Sequence, residues 1–347
     1  MMETRASVPA RPRTLTALVL AIAIGVTACG GAGSSQSGAA STAASASAGG
    51  EEDYTIALVS ALASISYYTT MNCGAQAAAA EQGVEVIYEA PNNFDAAEQQ
   101  LILNALFVRG IDGLIVVPAD TVALNNTLTE ATQDMPVMTT DLNPSEEIGF
   151  AAIASDGREG GALAAQYMAD QLAGQTGSVL VLANNPNIIP VVQRAEGFID
   201  EMEQLAPDIE VLPIEYSGGE PSSAATIVSN TLRAHPDLVG VFATFEPSVF
   251  GTLSAIAGTE AEDDLVIVGY DANPAEVDAL REGKLGALVI QTPYEMGYQS
   301  VTQMSQLLKG EISEEDIEYD QKTPLVLATA DNLSDPDVEK YLYTDEC

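Results

Sequence analysis

The chain has few of the residues that enzymes and nucleic-acid-binding proteins depend on. Its 347 residues include no tryptophan, one histidine and three cysteines, and 12 basic residues stand against 50 acidic ones, for a net charge of −38. A surface this acidic repels phosphate groups, which argues strongly against nucleic acid as a partner. The single histidine, His235, lies in an Ala-His-Pro-Asp turn. A Ser-His-Asp relay or a histidine-based metal site would depend on that turn alone.

Sequence motifs for catalysis and cofactor binding are also missing. No Gly-x-Ser-x-Gly, Gly-x-x-x-x-Gly-Lys or Gly-x-Gly-x-x-Gly pattern follows a predicted strand. Asp331, Asp335 and Asp337 lack calcium-loop spacing because Leu333 takes a ligand position, so this segment is interpreted as a solvated tail. We therefore expect a protein that is not an enzyme, with no catalytic residue, no metal and no cofactor.

The first 50 residues indicate export. Arginines precede an apolar run, Leu15 to Val26, that is too short for a permanent membrane span, and a Gly/Ser/Ala-rich stretch follows. Between them, Val26-Thr27-Ala28-Cys29 resembles the lipobox of bacterial lipoproteins. That resemblance implies a signal peptide over residues 1–28, lipidation (palmitate or a similar acyl chain) at Cys29 and a flexible tether over residues 29–53. An ordinary signal peptide and a membrane anchor are the alternatives.

Loss of the signal would change both the charge and the cysteine count. Residues 29–347 hold 9 basic and 49 acidic residues, a net charge of −40. Lipidation of Cys29 would leave Cys73 and Cys347, and two thiols in an oxidising compartment often form a disulfide. Two unpaired cysteines are the alternative.

From Tyr54 onward, short apolar runs alternate with stretches of helical period. Near-continuous Val, Ile and Leu is typical of strands covered on both faces of a parallel sheet, and the repeated strand–helix–strand order predicts an α/β, doubly wound fold. The predicted strands are Thr55–Ser60, Val84–Tyr88, Gly113–Val117, Val137–Thr140, Ile148–Ile153, Ser178–Leu182, Glu210–Tyr216, Val239–Ala243, Val266–Tyr270, Leu285–Ile290 and Leu325–Ala328. In such sheets the ligand crevice lies beyond the carboxyl ends of the strands.

Several segments, in this order and spacing, resemble the sugar-type (type I) periplasmic solute-binding proteins of ABC transporters, with the ribose-binding members nearest. The resemblance covers about residues 54–327. The segments that carry it are Ile56-Ala57-Leu58-Val59-Ser60 with Tyr67-Tyr68 after it, Val108-Arg109-Gly110-Ile111-Asp112-Gly113, Met135-Pro136-Val137-Met138-Thr139-Thr140-Asp141, Ile153-Ala154-Ser155-Asp156, Gly160-Gly161, Arg194-Ala195-Glu196-Gly197-Phe198, Ala234-His235-Pro236-Asp237, Val268-Gly269-Tyr270-Asp271 and Ile290-Gln291.

The resemblance implies two similar doubly wound domains joined by three crossovers, with the ligand in the cleft between them. The N-terminal domain would comprise residues 54–154 plus 292–323, and the C-terminal domain with its tail 155–291 plus 324–347. It also implies a monomer that delivers a sugar or polyol to a membrane permease and its ATPase, held by its lipid anchor on the extracytoplasmic face of the cell membrane.

The ligand-binding residues that the resemblance implies combine aromatic rings with hydrogen-bonding groups, as sugars require. They are Tyr67, Tyr68, Asp141, Asp271, Gln291, Phe245 and Ser60. The chain departs from ribose binders where Leu142 and Val192 replace arginines and Phe245 replaces an asparagine, while Arg194 matches a more structural position. These departures favour a different pentose, a polyol or a less hydroxylated ligand.

Other functions fit this fold class less well. A sugar-responsive repressor would need a DNA-binding headpiece before Tyr54, where this chain has a signal and a tether. An exported hydrolase would need a nucleophile and a base. A sensor that presents a small signal molecule to a membrane receptor uses the same architecture and stays the alternative.

Overall fold

The computed structural model describes residues 54–63 and 65–347. The predicted signal peptide, Cys29 and the tether lie outside the described residues. The strands are β1 (Thr55–Val59), β2 (Glu85–Glu89), β3 (Gly113–Val116), β4 (Val137–Thr140), β5 (Ala151–Ser155), β6 (Gly177–Ala183), β7 (Ile209–Val211), β8 (Glu215–Tyr216), β9 (Leu238–Ala243), β10 (Val266–Tyr270), β11 (Ala287–Ile290), β12 (Asp320–Thr323) and β13 (Val326–Ala328).

Helices connect most of these strands. They are α1 (Ser66–Gln82), α2 (Ala96–Arg109), α3 (Asn125–Ala131), α4 (Gly157–Gln171), α5 (Ile189–Leu205), α6 (Pro221–Ala234), α7 (Glu246–Ile256), α8 (Ala261–Asp264), α9 (Pro274–Arg281), α10 (Pro293–Leu308) and α11 (Pro336–Glu339), with a short 3₁₀ turn at Glu314–Asp316. None of the described helices is both long enough and apolar enough to cross a membrane.

The strands form two sheets, which confirms the predicted α/β class. The first sheet has the order β12-β5-β4-β3-β1-β2 and is parallel throughout. The second has the order β13-β11-β10-β9-β6-β7, with β8 beside β6, and only β13 runs antiparallel to its neighbour. Strands β3 and β4 are buried along their whole length, although β4 ends in the two threonines Thr139 and Thr140. Each sheet with its helices is called a lobe below.

Helices α1 and α10 pack closely on the first lobe because glycine faces backbone at two contacts. A β-carbon at Gly74 would lie 2.0 Å from the carbonyl oxygen of Tyr294, and one at Gly297 would lie 2.0 Å from that of Met71. Each glycine thus permits the other helix to approach. This contact holds the amino end of α1, which carries Tyr67 and Tyr68, close to the sheet edge.

Two predicted strands differ from the structure, and one strand of the structure was not predicted. The predicted strand Glu210–Tyr216 is two short strands, β7 and β8, because Pro213 between them has no N–H for the ladder. Residues 148–150 precede β5, since Gly149 has a φ of 82°. Strand β12 has the polar sequence Asp-Gln-Lys-Thr at the edge of its sheet and carries no apolar signal that would predict it.

The chain passes between the lobes after β5, after β11 and between β12 and β13. These passages lie near Ser155, Gln291 and Leu325. The exact domain boundaries at residues 154, 291 and 323 stay a prediction, since residues 51–347 form one compact unit.

The last 19 residues, 329–347, are called the tail, and their end contacts the first lobe. The resemblance groups them with the second domain, while the expected Cys73–Cys347 bridge would tie their end to the segment that carries Cys73. Thr344 donates its N–H to Thr70 Oγ1 at 2.8 Å, and Asp345 accepts from Ser66 Oγ at 2.6 Å. Both partners belong to α1 of the first lobe. Cys347 is joined to Cys73 of α1 by a disulfide, with the two Cα atoms 5.3 Å apart. The tail therefore starts on one lobe and ends on the other.

Candidate ligand-binding site

Two aspartates occupy matching places in the two lobes. Asp141 follows β4 and Asp271 follows β10, with φ values of 62° and 82°. They are the non-glycine residues with positive φ among residues 54–63 and 65–347. Each donates its N–H to a strand alongside, Asp141 to Ile153 at 2.8 Å and Asp271 to Val289 at 2.9 Å. A left-handed conformation at both strand ends turns the two carboxylates away from the sheets, and such strain concentrates at functional sites.

Two tyrosines at the start of α1 hold the Asp141 carboxylate. The Tyr67 hydroxyl donates to Oδ1 at 2.9 Å, and the Tyr68 hydroxyl donates to Oδ2 at 3.0 Å. The two rings meet edge to face, with centroids 5.2 Å apart. Both carboxylate oxygens thus have a tyrosine donor.

The Asp271 carboxylate has partners from a crossover and from the tail. Gln291 Nε2 donates to Asp271 Oδ1 at 2.7 Å, and the Tyr343 hydroxyl donates to the same oxygen at 3.1 Å. Gln291 Oε1 accepts from Ser155 Oγ at 2.5 Å, which links two crossovers. Tyr343 also donates its N–H to the Ala272 carbonyl at 3.1 Å. Its ring lies edge to face with Tyr67, at 5.5 Å between centroids. Tyr343 therefore connects the two aspartate clusters.

A cavity of about 330 Å³ opens between these two clusters. This volume lies within the range of roughly 300–1,000 Å³ of small-molecule sites. Both lobes and the tail line it, with Ile65, Tyr67, Tyr68, Phe94, Asp141, Leu142, Asn184, Ile188, Pro190, Val191, Arg194, Glu246, Asp271, Asn273, Gln291 and Tyr343. The wall thus combines aromatic and aliphatic groups with a few convergent polar groups, the usual character of a ligand site.

Burial changes the acid–base properties of the aspartate clusters. Desolvation raises the pKa of Asp141 to about 6, although its hydrogen bonds from Tyr67 and Tyr68 oppose the shift. Burial, together with the nearby aspartates, raises the pKa of Tyr67, Tyr68 and Tyr343 well above the usual 10.0. The tyrosines are therefore protonated donors at any physiological pH.

Arg194 is the cation of the cavity wall. Its guanidinium lies over the Tyr270 ring, 3.8 Å from the centroid, and Nη1 donates to the Thr244 carbonyl at 2.9 Å. Burial lowers the pKa of Arg194, but the neighbouring Tyr270, Asp271 and Asp141 outweigh this and raise it. Its buried Nε has no hydrogen-bond partner. Glu246, at the start of α7, also lines the cavity, and burial followed by repulsion from Asp271 raises its pKa.

The structure brings five of the seven predicted binding residues to the cavity: Tyr67, Tyr68, Asp141, Asp271 and Gln291. Ser60 and Phe245 do not line it. The Ser60 hydroxyl is 2.8 Å from the Tyr88 hydroxyl, on the side of the neighbouring strand β2. Phe245 precedes α7 and packs with Ala183 and Val191 behind the wall.

Several lining residues were not predicted from the sequence. Arg194 was interpreted as structural, yet it lies at the cavity wall one turn of α5 after Val191. Glu246 stands directly after the predicted Phe245 and could have been found from that position. Tyr343 carries no such signal, because it follows no strand and lies in a segment interpreted as solvated.

Comparisons with known proteins agree with this architecture. The model of a family described as periplasmic binding protein domain matches residues 56–312. The ribose import binding protein of Escherichia coli strain K12 is 31% identical over 259 residues, which are 74% of this chain and 86% of that protein.

Two solved structures give the same result. One is an ABC transporter solute-binding protein from Agrobacterium vitis bound with alpha-D-tagatopyranose, 28% identical, with a TM-score of 0.76 over 84% of this chain and 100% of that one. The other is a carbohydrate transporter solute-binding protein from Agrobacterium radiobacter in complex with D-arabinose, 26% identical, with a TM-score of 0.75 over the same shares.

Proposed function

Because the chain belongs to the periplasmic binding protein domain family, whose members similar to it are sugar-binding transport proteins and not enzymes, we propose that it binds a sugar or polyol between its lobes and delivers it to an ABC permease and its ATPase. The binding residues in this proposal are Tyr67, Tyr68, Asp141, Asp271, Gln291, Arg194 and Tyr343. Ser60 and Phe245 are not included, since they lie outside the cavity wall.

The observation that carries the proposal is the pairing of Asp141 and Asp271 across the cavity. The two lobes present the same device, an aspartate held in a left-handed turn at a strand end, with tyrosine donors fixing its carboxylate. Carboxylates accept strong, charge-assisted hydrogen bonds from hydroxyl groups in a water-poor cleft, and aromatic rings pack on the C–H faces of a sugar. A ligand that contacts both lobes would favour their closure, which is the form a transporter can distinguish.

The location of the protein is part of the proposal. The basic head, the apolar run and Cys29 support a lipoprotein anchored on the extracytoplasmic face of the cell membrane. The predicted tether, residues 29–53, would keep the binding domain near its permease at high effective concentration.

Replacement of Asp271 by glycine tests the site. Glycine adopts a φ of 82° without strain, so Asp271→Gly removes the carboxylate while keeping the backbone turn. A thermal-shift screen over pentoses, hexoses and polyols first finds binders, since a ligand that binds the folded state raises the melting temperature. Calorimetry of the strongest binder should then show a loss of about tenfold or more in the variant, as expected for a hydrogen bond to a charged group.

Asp278→Ala is the matched control. Asp278 lies on α9 with its side chain 67% exposed, paired with Arg281 and away from the cavity. The Asp278→Ala variant should therefore bind the ligand with the affinity of the wild type. Unchanged affinity in Asp271→Gly, or a screen without any binder, would contradict the proposed function.

A further inference from the structure

The cavity wall carries more negative than positive charge. Asp141, Glu246 and Asp271 face it, against the single guanidinium of Arg194. None of the three carboxylates belongs to an ion pair in the part of the chain that the structure describes, where every such pair joins side chains at least 41% exposed. Buried charges are normally paired, because desolvation penalises an isolated one. The excess of two negative charges therefore calls for positive charge from outside the protein.

Arg194 does not supply this charge alone. Its guanidinium is stacked on Tyr270 and bonded to the Thr244 carbonyl, which fixes it at one wall. Asp271 interacts with both of the other carboxylates, since its negative charge raises the pKa of Asp141 and that of Glu246. A positive group beside Asp271 would relieve repulsion within the whole cluster.

The cavity wall also has more hydrogen-bond acceptors than free donors. The hydroxyls of Tyr67, Tyr68 and Tyr343 already donate to the aspartates, and so does the Gln291 amide. Aliphatic side chains such as Leu142 and Val191 cover much of the remaining surface. The cavity thus offers acceptors and aromatic rings in excess and has few free donors for a neutral polyhydroxyl ligand.

An ammonium group matches this environment. It supplies three hydrogen-bond donors with a positive charge, and it is attracted to both carboxylates and the faces of aromatic rings. Arg194 would meet a hydroxyl oxygen of the same ligand, because it is the cation that lines this cavity. On the premise that this cavity is the solute site proposed above, we propose that the ligand is an amino sugar or amino polyol, with its ammonium group beside Asp271 and its hydroxyl groups towards Arg194.

Matched pairs of compounds test the ligand class. Calorimetry at pH 7 would compare D-glucosamine with D-glucose, and 1-amino-1-deoxy-D-sorbitol with D-sorbitol. The amine of at least one pair should bind about tenfold or more tightly than its hydroxyl counterpart, since a hydrogen bond to a charged group is about twice as strong as one between neutral groups. N-acetyl-D-glucosamine retains the substituent without the charge and should lose the advantage.

A charge-removing variant locates the ammonium group. Asparagine tolerates the left-handed turn, so Asp271→Asn keeps the backbone and the shape of the wall. It should reduce the preference for the amine over its neutral counterpart about tenfold, whereas Asp278→Asn, away from the cavity, should leave the preference unchanged. An unchanged preference in Asp271→Asn would overturn the assigned position of the ammonium group.

The outcomes for the ligand class and for the proposed function are distinct. Neutral sugars or polyols that bind as tightly as their amino counterparts would overturn the amine inference and leave the solute-binding function in place. A panel in which no compound of either kind binds would overturn both.

Discussion

The conformations of Asp141 and Asp271 show how single residues define the site. Aspartate tolerates positive φ better than most side chains, yet the conformation still costs free energy, so the surrounding structure must hold it. Here the N–H of each is bonded to the neighbouring strand, and each carboxylate is bonded to tyrosine. The two residues are therefore fixed before any ligand arrives, which lowers the entropic cost of binding.

Asp141→Asn should change the pH dependence of stability. Burial raises the pKa of Asp141 from 3.8 to about 6, so this carboxyl binds its proton more tightly in the folded than in the unfolded chain. The stabilisation of the folded state that this raised pKa provides is fully present below pH 3.8 and is lost as the pH rises through about 6. The loss changes the free energy of unfolding by up to about 3 kcal/mol. Relative to the wild type, the variant should gain stability between about pH 4 and pH 6.5 in chemical denaturation. Parallel pH profiles of the two proteins would contradict this.

At this scale the sequence predicts part of the site. Asp141, Asp271 and Gln291 could be predicted because position after a strand and family resemblance agree, whereas Tyr67 and Tyr68, at the start of α1, could be predicted from the resemblance alone. Position after a strand was not sufficient for Ser60 and Phe245, which lie outside the cavity wall. Arg194 was missed because its role depends on which face of α5 turns towards the cleft, and periodicity alone does not distinguish a cleft-facing from a core-facing buried residue.

At the scale of elements, the tail is the main departure from what the sequence suggests. Its acidic stretch has the composition of a solvated terminus, but Leu333, Val338 and Tyr343 are each less than 10% exposed. The folded position depends on long-range contacts to Ala272 and to α1, which no local pattern encodes. The same holds for β12, whose pairing with β5 is decided by the crossover that brings it to the sheet edge.

Tyr343→Ala should weaken ligand binding by about tenfold or more. The change removes an aromatic wall of the cavity and a donor to Asp271, whereas Tyr343→Phe keeps the ring and should lose less affinity. Calorimetry with the strongest binder from the screen measures both variants. Tyr341→Ala is the control, since Tyr341 lies two residues away and contacts Lys340 outside the cavity. Equal affinity in all three variants would remove the tail from the binding site.

At the scale of the whole molecule, two lobes share one cleft, and four lengths of chain pass between them. Three are the passages after β5, after β11 and between β12 and β13, and the fourth is the tail. The fold class and most strands could be predicted, since buried parallel strands have a strong apolar signal. The Cys73–Cys347 bridge was also predicted, with two unpaired cysteines as the alternative. The other contacts of the tail could not be predicted, because this terminal segment resembles no sheet element.

The Cys73–Cys347 bridge should be found in protein purified under oxidising conditions and should stabilise it. Mass spectrometry of unreduced peptides should detect the two cysteines linked, and Cys73→Ser should lower the free energy of unfolding by about 2–5 kcal/mol. Cys347→Ser should have the same effect, and the double variant no more, because all three remove one bond. Two free thiols in the unreduced protein would refute the bridge.

With that bridge, residues 73–347 form a covalent ring that contains every described strand except β1. A protease that cuts once anywhere within the ring would release no fragment until the disulfide is reduced. Tyr343, four residues from the closure, could not diffuse away when the lobes separate. An empty, open protein would therefore keep this aromatic ring close to α1, beside the Tyr67 ring that it packs against.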